Sequence, residues 1–332
     1  MADRIKIGKS RVRVEHLKTL QSAWKNRRLV LFLGAGISQP YGIPSWKDLV
    51  LRMFYEEADK RFKDMPPGDR PAVASWMVDR FELTPTFLAR VIRYRLDRGR
   101  GVTKGKSFAQ AIRDSLYSDY RPEPSSGAAL PEVANLIQRS EEQGRCIQAV
   151  ISFNFDNLLE LELQRTKIDV TPVYDQRRLD GNKFPIVHVH GYLPFDGNVP
   201  TTEIVFTEDE YHQLTFSAFH WSVADMVAYL RNYSVLFIGL SMSDPNLRRL
   251  LDATNLRLEE PKHILIRRDY DIESEVVDAR EGVATRIDPR HLKKIGGRAH
   301  AFEREVFKDM GVGVMWVKKH EDIPMVLQKL GS

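Results

Sequence analysis

The most constraining feature of this chain is a short apolar run, Leu29-Val30-Leu31-Phe32-Leu33, that stops at Gly34-Ala35-Gly36. A run this short, without polar alternation and with a glycine turn behind it, reads as a strand buried on both faces of a parallel sheet. The same grammar recurs down the chain. Cys146–Ser152 leads into Phe153-Asn154-Phe155-Asp156, Pro185–His190 stops at Gly191, and Val235–Ile238 stops at Gly239. His263–Ile266 and Val312–Val317 read as two further strands. Helical patterns lie between them. Val14, Leu17, Leu20 and Trp24 recur at spacings of three and four and predict a helix over 10–27. Others are expected over 46–62, 207–230, 299–310 and 322–330, and one opens at Asp244-Pro245 with Ser243 as its cap. Strands separated by helices predict an α/β fold with a doubly wound parallel sheet. Residues 64–145 hold helical patterns and breakers but no convincing strand. They read as a helical insertion or cap within a single domain spanning 1–332.

Composition narrows the function classes. No apolar stretch approaches the roughly 20 residues of a membrane-spanning helix, and the first residues lack the apolar core of a secretory signal. Cys146 is the single cysteine, which excludes an intramolecular disulfide and any multi-cysteine zinc site. A reducing, cytoplasmic setting is the expectation. The net charge of +5 permits contact with nucleic acid without indicating it. The bases do cluster: Arg90–Lys106 carries seven Lys or Arg against Asp97 alone, a solvated helix face or a partner surface.

Four segments at strand ends could carry chemistry, and each also has a plain structural reading. Gly34-Ala35-Gly36-Ile37-Ser38 could cradle a phosphate or simply make a tight turn. Neither the GxGxxG fingerprint nor a P-loop is present. Asn154 and Asp156 could face one pocket and meet ribose hydroxyls or a carboxamide, or they could cap the next helix. His188 and His190, two apart, would share a strand face. They could hold a metal, although no third ligand is evident, or supply a general base. Gly239-Leu240-Ser241-Met242-Ser243 could bind a second phosphate or a ribose edge, or could lead into a capped helix.

Taken in order, these segments resemble the sirtuin family and its sirtuin-like relatives: a GAGxS loop completed by Gly42-Ile43-Pro44, an N-x-D strand end, a His-Gly and a Gly-x-Ser. The resemblance implies a Rossmann-like fold that takes NAD as its substrate and needs no metal. It implies that Gly34, Ala35, Gly36 and Ser38 hold the pyrophosphate, while Gly239 and Ser241 line the adenosine side. It further implies that Asn154 contacts the nicotinamide ribose or positions the nucleophile, that Asp156 meets the carboxamide, and that His190 is the base. The chain departs from protein-deacylating sirtuins in two places. The paired CxxC zinc module is absent, and Ser45-Trp46-Lys47 stands where Asp-Phe-Arg usually follows GIP. The Ser-Trp variant and the Gly-x-Ser-x-Ser-Asp-Pro-Asn string look more like bacterial sirtuin-like proteins of anti-phage defence, which hydrolyse NAD. That likeness implies an NAD glycohydrolase acting in abortive infection. It also implies a homo-oligomer with a partner in trans, such as a hexameric DNA-translocating ATPase or an Argonaute-like protein. A zinc-free deacylase or ADP-ribosyltransferase, and a non-catalytic NAD or ADP-ribose binding module, are the alternative functions.

Overall fold

The computed structural model describes residues 4–58, 60–100, 105–176, 182–199, 203–217, 220–256, 259–269 and 289–331. Its centre is a seven-stranded sheet in which every neighbouring pair is parallel. The apolar run becomes strand β3 (Leu29–Leu33), fully buried along its length. With it stand β4 (Ile147–Ser152), β5 (Val170–Val173), β6 (Phe184–His188), β7 (Ser234–Ile238), β8 (His263–Arg268) and β9 (Val312–Val317). The spatial order is β5-β6-β4-β3-β7-β8-β9. Chain order therefore reverses at β3, which lies between β4 and β7. In open α/β sheets that switch point, at the carboxyl ends of the strands, is where ligands bind.

Alternate residues of β3 feed two cores. Leu29, Leu31 and Leu33 face one cluster, with helices α1 (Val14–Lys25), α2 (Trp46–Met53), α5 (Phe108–Tyr117), α6 (Leu130–Glu142) and α7 (Leu158–Arg165). Val30 and Phe32 face the other, with α8 (Glu208–Phe216), α9 (Trp221–Asn232), α10 (Pro245–Thr254) and α11 (Pro289–Asp309). Helix α12 (Asp322–Gln328) closes the first face. This two-faced burial is what a continuous apolar strand requires, and the α/β, Rossmann-like expectation holds.

Several boundaries differ from the sequence reading, each for a local reason. Residues 10–13 are not helical: Arg4–Ile7 and Ser10–Arg13 pair as an antiparallel hairpin, β1 and β2. The expected helix over 46–62 stops at Met53, where a π-helical turn over Phe54–Ala58 takes over. The long helix over 207–230 is two helices, α8 and α9, the second opened by His220, whose ring accepts from the Ser222 amide. Helix α11 begins ten residues earlier than expected, at Pro289. Strand β5 has no counterpart in the sequence reading. The segment 64–145 carries α3 (Arg70–Arg80), α4 (Pro85–Asp97), α5 and α6, with no strand among its described residues. Thr84 caps α4 by accepting from the Phe87 amide at 3.2 Å, with Pro85 in the first turn.

Three cations of the basic stretch over 90–106 face carboxylates of the same chain. Arg90 lies 3.9 Å from Glu208 and 3.8 Å from Asp209, and Arg93 pairs with Glu210. Lys106 bridges Glu57 and Asp114, and Arg98 lies over the Tyr94 ring at 4.2 Å. Arg90 and Arg93 brace α4 against α8, on the second face of the sheet.

Candidate active site

The glycine loop after β3 is built to let two strand ends meet. The Gly34 amide donates to Ile238 O and the Gly36 amide to Gly239 O, both at 3.0 Å. A Cβ on Gly36 would stand 2.9 Å from the Gly239 Cα. Gly239 itself holds φ +67, and a Cβ there would lie 2.7 Å from the Ile37 amide nitrogen. Ala35–Ile37 forms a single 3-10 turn, and the Ser38 amide donates to Ala35 O at 3.0 Å. The glycines thus seat the β3 loop on the β7 loop, which brings Ser38 inward and leaves Ser241 exposed.

Ser38 is fully buried, and it joins the two polar residues of the β4 end. The Asn154 side-chain amide donates to Ser38 Oγ at 3.1 Å. Ser38 in turn hydrogen-bonds Asp156, whose Oδ1 also accepts from the Leu158 amide at 3.2 Å. Asp156 therefore holds the first amide of α7 from the position before its N-cap, Asn157, and it belongs to the site network as well. Burial pushes its carboxyl up to about 6, against the opposing pull of those two donors. Asn154 and Asp156 are 7% and 5% exposed, so both would meet a ligand in a largely dehydrated setting.

The two histidines do not share a face. Strand β6 ends at His188, and His190 lies beyond it. His188 turns toward α7: its Nε2 lies 2.7 Å from Glu160 Oε1, and its Nδ1 3.1 Å from the Asn154 carbonyl. A carbonyl cannot donate, so Nδ1 carries a proton. Burial alone would lower the ring's affinity for a second proton, but Glu160 outweighs it and holds His188 above its usual value. This ring clamps the Asn154 backbone. His190 turns the other way, with Phe153 and Tyr211 at ring distances of 5.2 and 5.6 Å. Its Nε2 stands 3.4 Å from Asp244 Oδ2. Burial dominates and holds His190 below its ordinary value despite Asp244 and a hydrogen bond to the Phe153 backbone, which favours the neutral, proton-accepting form. The glycine of the His-Gly pair has its own reason. Gly191 holds φ +111, and a Cβ there would strike the Glu203 carbonyl at 2.7 Å, where 203–205 crosses and the Val205 amide donates to His190 O.

Asp244 is the residue the sequence reading missed. The helix cap is Asp244, not Ser243: its Oδ1 accepts from the Leu247 amide at 2.7 Å. Its Oδ2 faces His190 and accepts from the Tyr211 hydroxyl at 3.2 Å. The residue two before it, Met242, is buried with φ +61, a left-handed conformation that costs a side-chain-bearing residue energy and is frequent near functional sites. The Asp-Pro dipeptide carries a capping signal, but only the fold brings that carboxylate to the histidine. Ser241 and Ser243 share a hydrogen bond of 2.6 Å on the exposed side of this loop, near Arg267, whose guanidinium reaches the Ser241 carbonyl at 3.5 Å. Among the described residues no group of three or more His, Cys, Asp or Glu side chains is placed to hold a metal ion.

The site is therefore a row of polar groups along the carboxyl edge of a Rossmann-like α/β sheet: Ser38, Asn154, Asp156, a histidine–aspartate pair and the β7 serines. Residues 148–285 match the family model described as a SIR2-like domain, a stretch that begins in β4 and takes in His190 and Asp244. SIR2-like domains use NAD, so the match supports a Sir2-like protein with an NAD-related function. No curated protein matches the chain. Among the described residues no helix is long and apolar enough to cross a membrane.

Proposed function

We propose that the chain is an NAD+ glycohydrolase that releases nicotinamide and ADP-ribose. The observation that carries this reading is the buried His190–Asp244 pair, set along the same strand-end edge as the Asn154 amide. Cleavage breaks the bond between the ribose C1′ and the nicotinamide nitrogen. The electron pair leaves with the nicotinamide and neutralises its positive charge, and the ribose becomes oxocarbenium-like. Water adds to C1′ and loses a proton. In this reading Asn154 orients the water or the ribose, and its carbonyl is fixed by His188. His190 takes up the proton, and Asp244 steadies the imidazolium that results. Asp156 meets the carboxamide; Gly34, Ala35, Gly36 and Ser38 line the pyrophosphate; Gly239 and Ser241 line the adenosine side. The Gly34 and Gly36 amides are already engaged by β7, so the loop's contribution is close backbone approach more than free amide donors.

In the wider proposal the protein is a cytoplasmic effector of bacterial anti-phage defence by abortive infection. It acts as a homo-oligomer and is restrained by a partner in trans, such as a hexameric DNA-translocating ATPase or an Argonaute-like protein. The support is the sequence resemblance and the SIR2-like match. The test is nicotinamide release from NAD+ by the purified chain, its oligomeric mass recorded in the same sample. His190→Ala and Asn154→Ala abolish release while the fold survives, and Asp244→Asn lowers it about 100-fold, the lower range for a general base's contribution. Near-normal turnover by His190→Ala would remove the base assignment. Tight NAD binding without turnover at every assembly state tested would favour a binding module, and acceleration by an acyl-lysine peptide would favour a deacylase.

A further inference from the structure

The hairpin of β1 and β2 carries an arrangement that intramolecular stability does not explain. Its register sets Arg4 opposite Arg13 and Lys6 opposite Arg11. Like charges at directly opposed positions destabilise a strand pair. The segment from Arg4 to Arg13 holds five bases and no acid. Of the alternate positions, Ile7, Ser10 and Val12 are buried, while Ile5 is exposed. The hairpin is fixed to the body: Ser10 Oγ donates to Asp322 Oδ2 at 2.5 Å and accepts from the Lys318 amide at 2.7 Å, while the Lys9 amide donates to Asp322 Oδ1 at 3.2 Å. Arg4 and Lys6 are exposed. Arg304 of α11 lies close by; burial, and then the like charges of Arg13 and Arg4, hold its guanidinium below its usual value. Glu15 offsets part of this charge through its pair with Arg13 at 2.6 Å.

We propose that the outer face of this hairpin is a docking surface for the phosphate backbone of duplex nucleic acid. Arg4 and Lys6 stand two residues apart, about 7 Å along β1, on a hairpin anchored at Asp322. That spacing is comparable to consecutive phosphates on one nucleic-acid strand. The cation-bearing positions include no apolar or aromatic anchor of the kind that centres protein interfaces. Regular charge without an apolar centre suits sequence-independent backbone binding. The basic stretch over 90–106 is a poorer candidate, because Arg90, Arg93 and Lys106 already face carboxylates.

The experiment is fluorescence anisotropy of a labelled DNA duplex with the full chain, titrated between 50 and 200 mM salt. Two phosphate contacts, from the exposed Arg4 and Lys6, predict an affinity loss of about 12-fold across that range. In Arg4→Ala/Lys6→Ala, with an unchanged melting temperature, binding at 50 mM falls at least 10-fold and the loss with salt largely disappears. Arg98→Ala/Arg100→Ala leaves binding as in the parent. Absence of binding at 50 mM, or an Arg4→Ala/Lys6→Ala chain that binds like the parent, would overturn the proposal. So would competition by polyglutamate of matched charge that equals unlabelled duplex, which would mark the face as a site for an acidic protein. None of these readouts depends on NAD turnover.

Discussion

Replacing Gly239 by alanine separates two costs that the structure lets one calculate. A left-handed backbone costs an alanine roughly 1–2 kcal/mol. At Gly239, φ +67, the new methyl also meets the Ile37 amide nitrogen at 2.7 Å and the Gly34 carbonyl at 3.1 Å. These are backbone atoms of the neighbouring loop, so relief requires the β3 and β7 ends to part. Overpacking of this kind costs typically about 1–3 kcal/mol. The expected total is about 2–5 kcal/mol. Gly99 supplies the control, since it holds φ +65 with nothing within 4 Å of an added methyl and should lose only the backbone cost. Gly36→Ala supplies the converse, a contact of 2.9 Å on the Gly239 Cα without a left-handed φ. Urea unfolding followed by tryptophan fluorescence measures all three, and NAD binding by the same variants tests whether the seam shapes the site. A Gly239→Ala cost within about 0.5 kcal/mol of that of Gly99→Ala would refute a backbone clash at this seam.

Other predictions concern buried charge. Asp156 keeps its proton up to about pH 6 in the folded chain, whereas an unfolded aspartate releases it near 3.8, so its contribution to stability is lost as pH rises from about 4 to 6. Asp156→Asn should therefore raise the unfolding free energy at pH 7.5 by about 1–3 kcal/mol while reducing nicotinamide release; a less stable variant would contradict this. His263 runs the opposite way. It is buried, its Nδ1 accepts from the Val235 amide at 3.1 Å, and burial holds it at about 3. Unfolded histidine takes up a proton near 6.5, so folding loses about 2 kcal/mol at this site between pH 7 and 5. Asn at 263 can accept from the same amide without titrating, so the pH slopes of His263→Asn and the parent should diverge over that window; parallel slopes would refute the assignment. His188→Ala should depress turnover with little change in NAD affinity, because its ring fixes the Asn154 carbonyl; an equal loss of binding would point to a general collapse of the site.

The sequence displays the central strands plainly because burial on both faces leaves no room for polar residues. Val170–Val173 escapes that signal. It lies on the sheet edge, three of its four residues are half-buried, and it contains Pro172, which an edge strand tolerates. The amino-terminal hairpin escapes for another reason: its apolar positions alternate with bases and run into the helical spacing that starts at Val14. At the site, Asn154, Asp156 and the His-Gly pair are legible because they follow strand ends. The division of labour between His188 and His190 is not, since a turn after His188 sends two residues that alternation would align toward different carboxylates. Asp244 is visible at the start of a helix, with the cap expected at Ser243, but not as a partner, because nothing in the order of residues records that α10 starts beside His190.

The position of β3 at the middle of the sheet also governs how the chain must be made. Its neighbours in space are late in sequence: Leu29 pairs with Ile147 and with Ser234. At a synthesis rate of about 5–20 residues per second, β3 waits roughly 6–24 s for its first partner and 10–41 s for its second. Through that interval the most apolar strand of the protein is an unpaired ribbon with both edges open. Helix α2, and α5 and α6 from residues 64–145, emerge during the wait, and all three belong to the core that covers one face of β3. These helices are thus made in time to cover one face of β3 before its sheet partners exist.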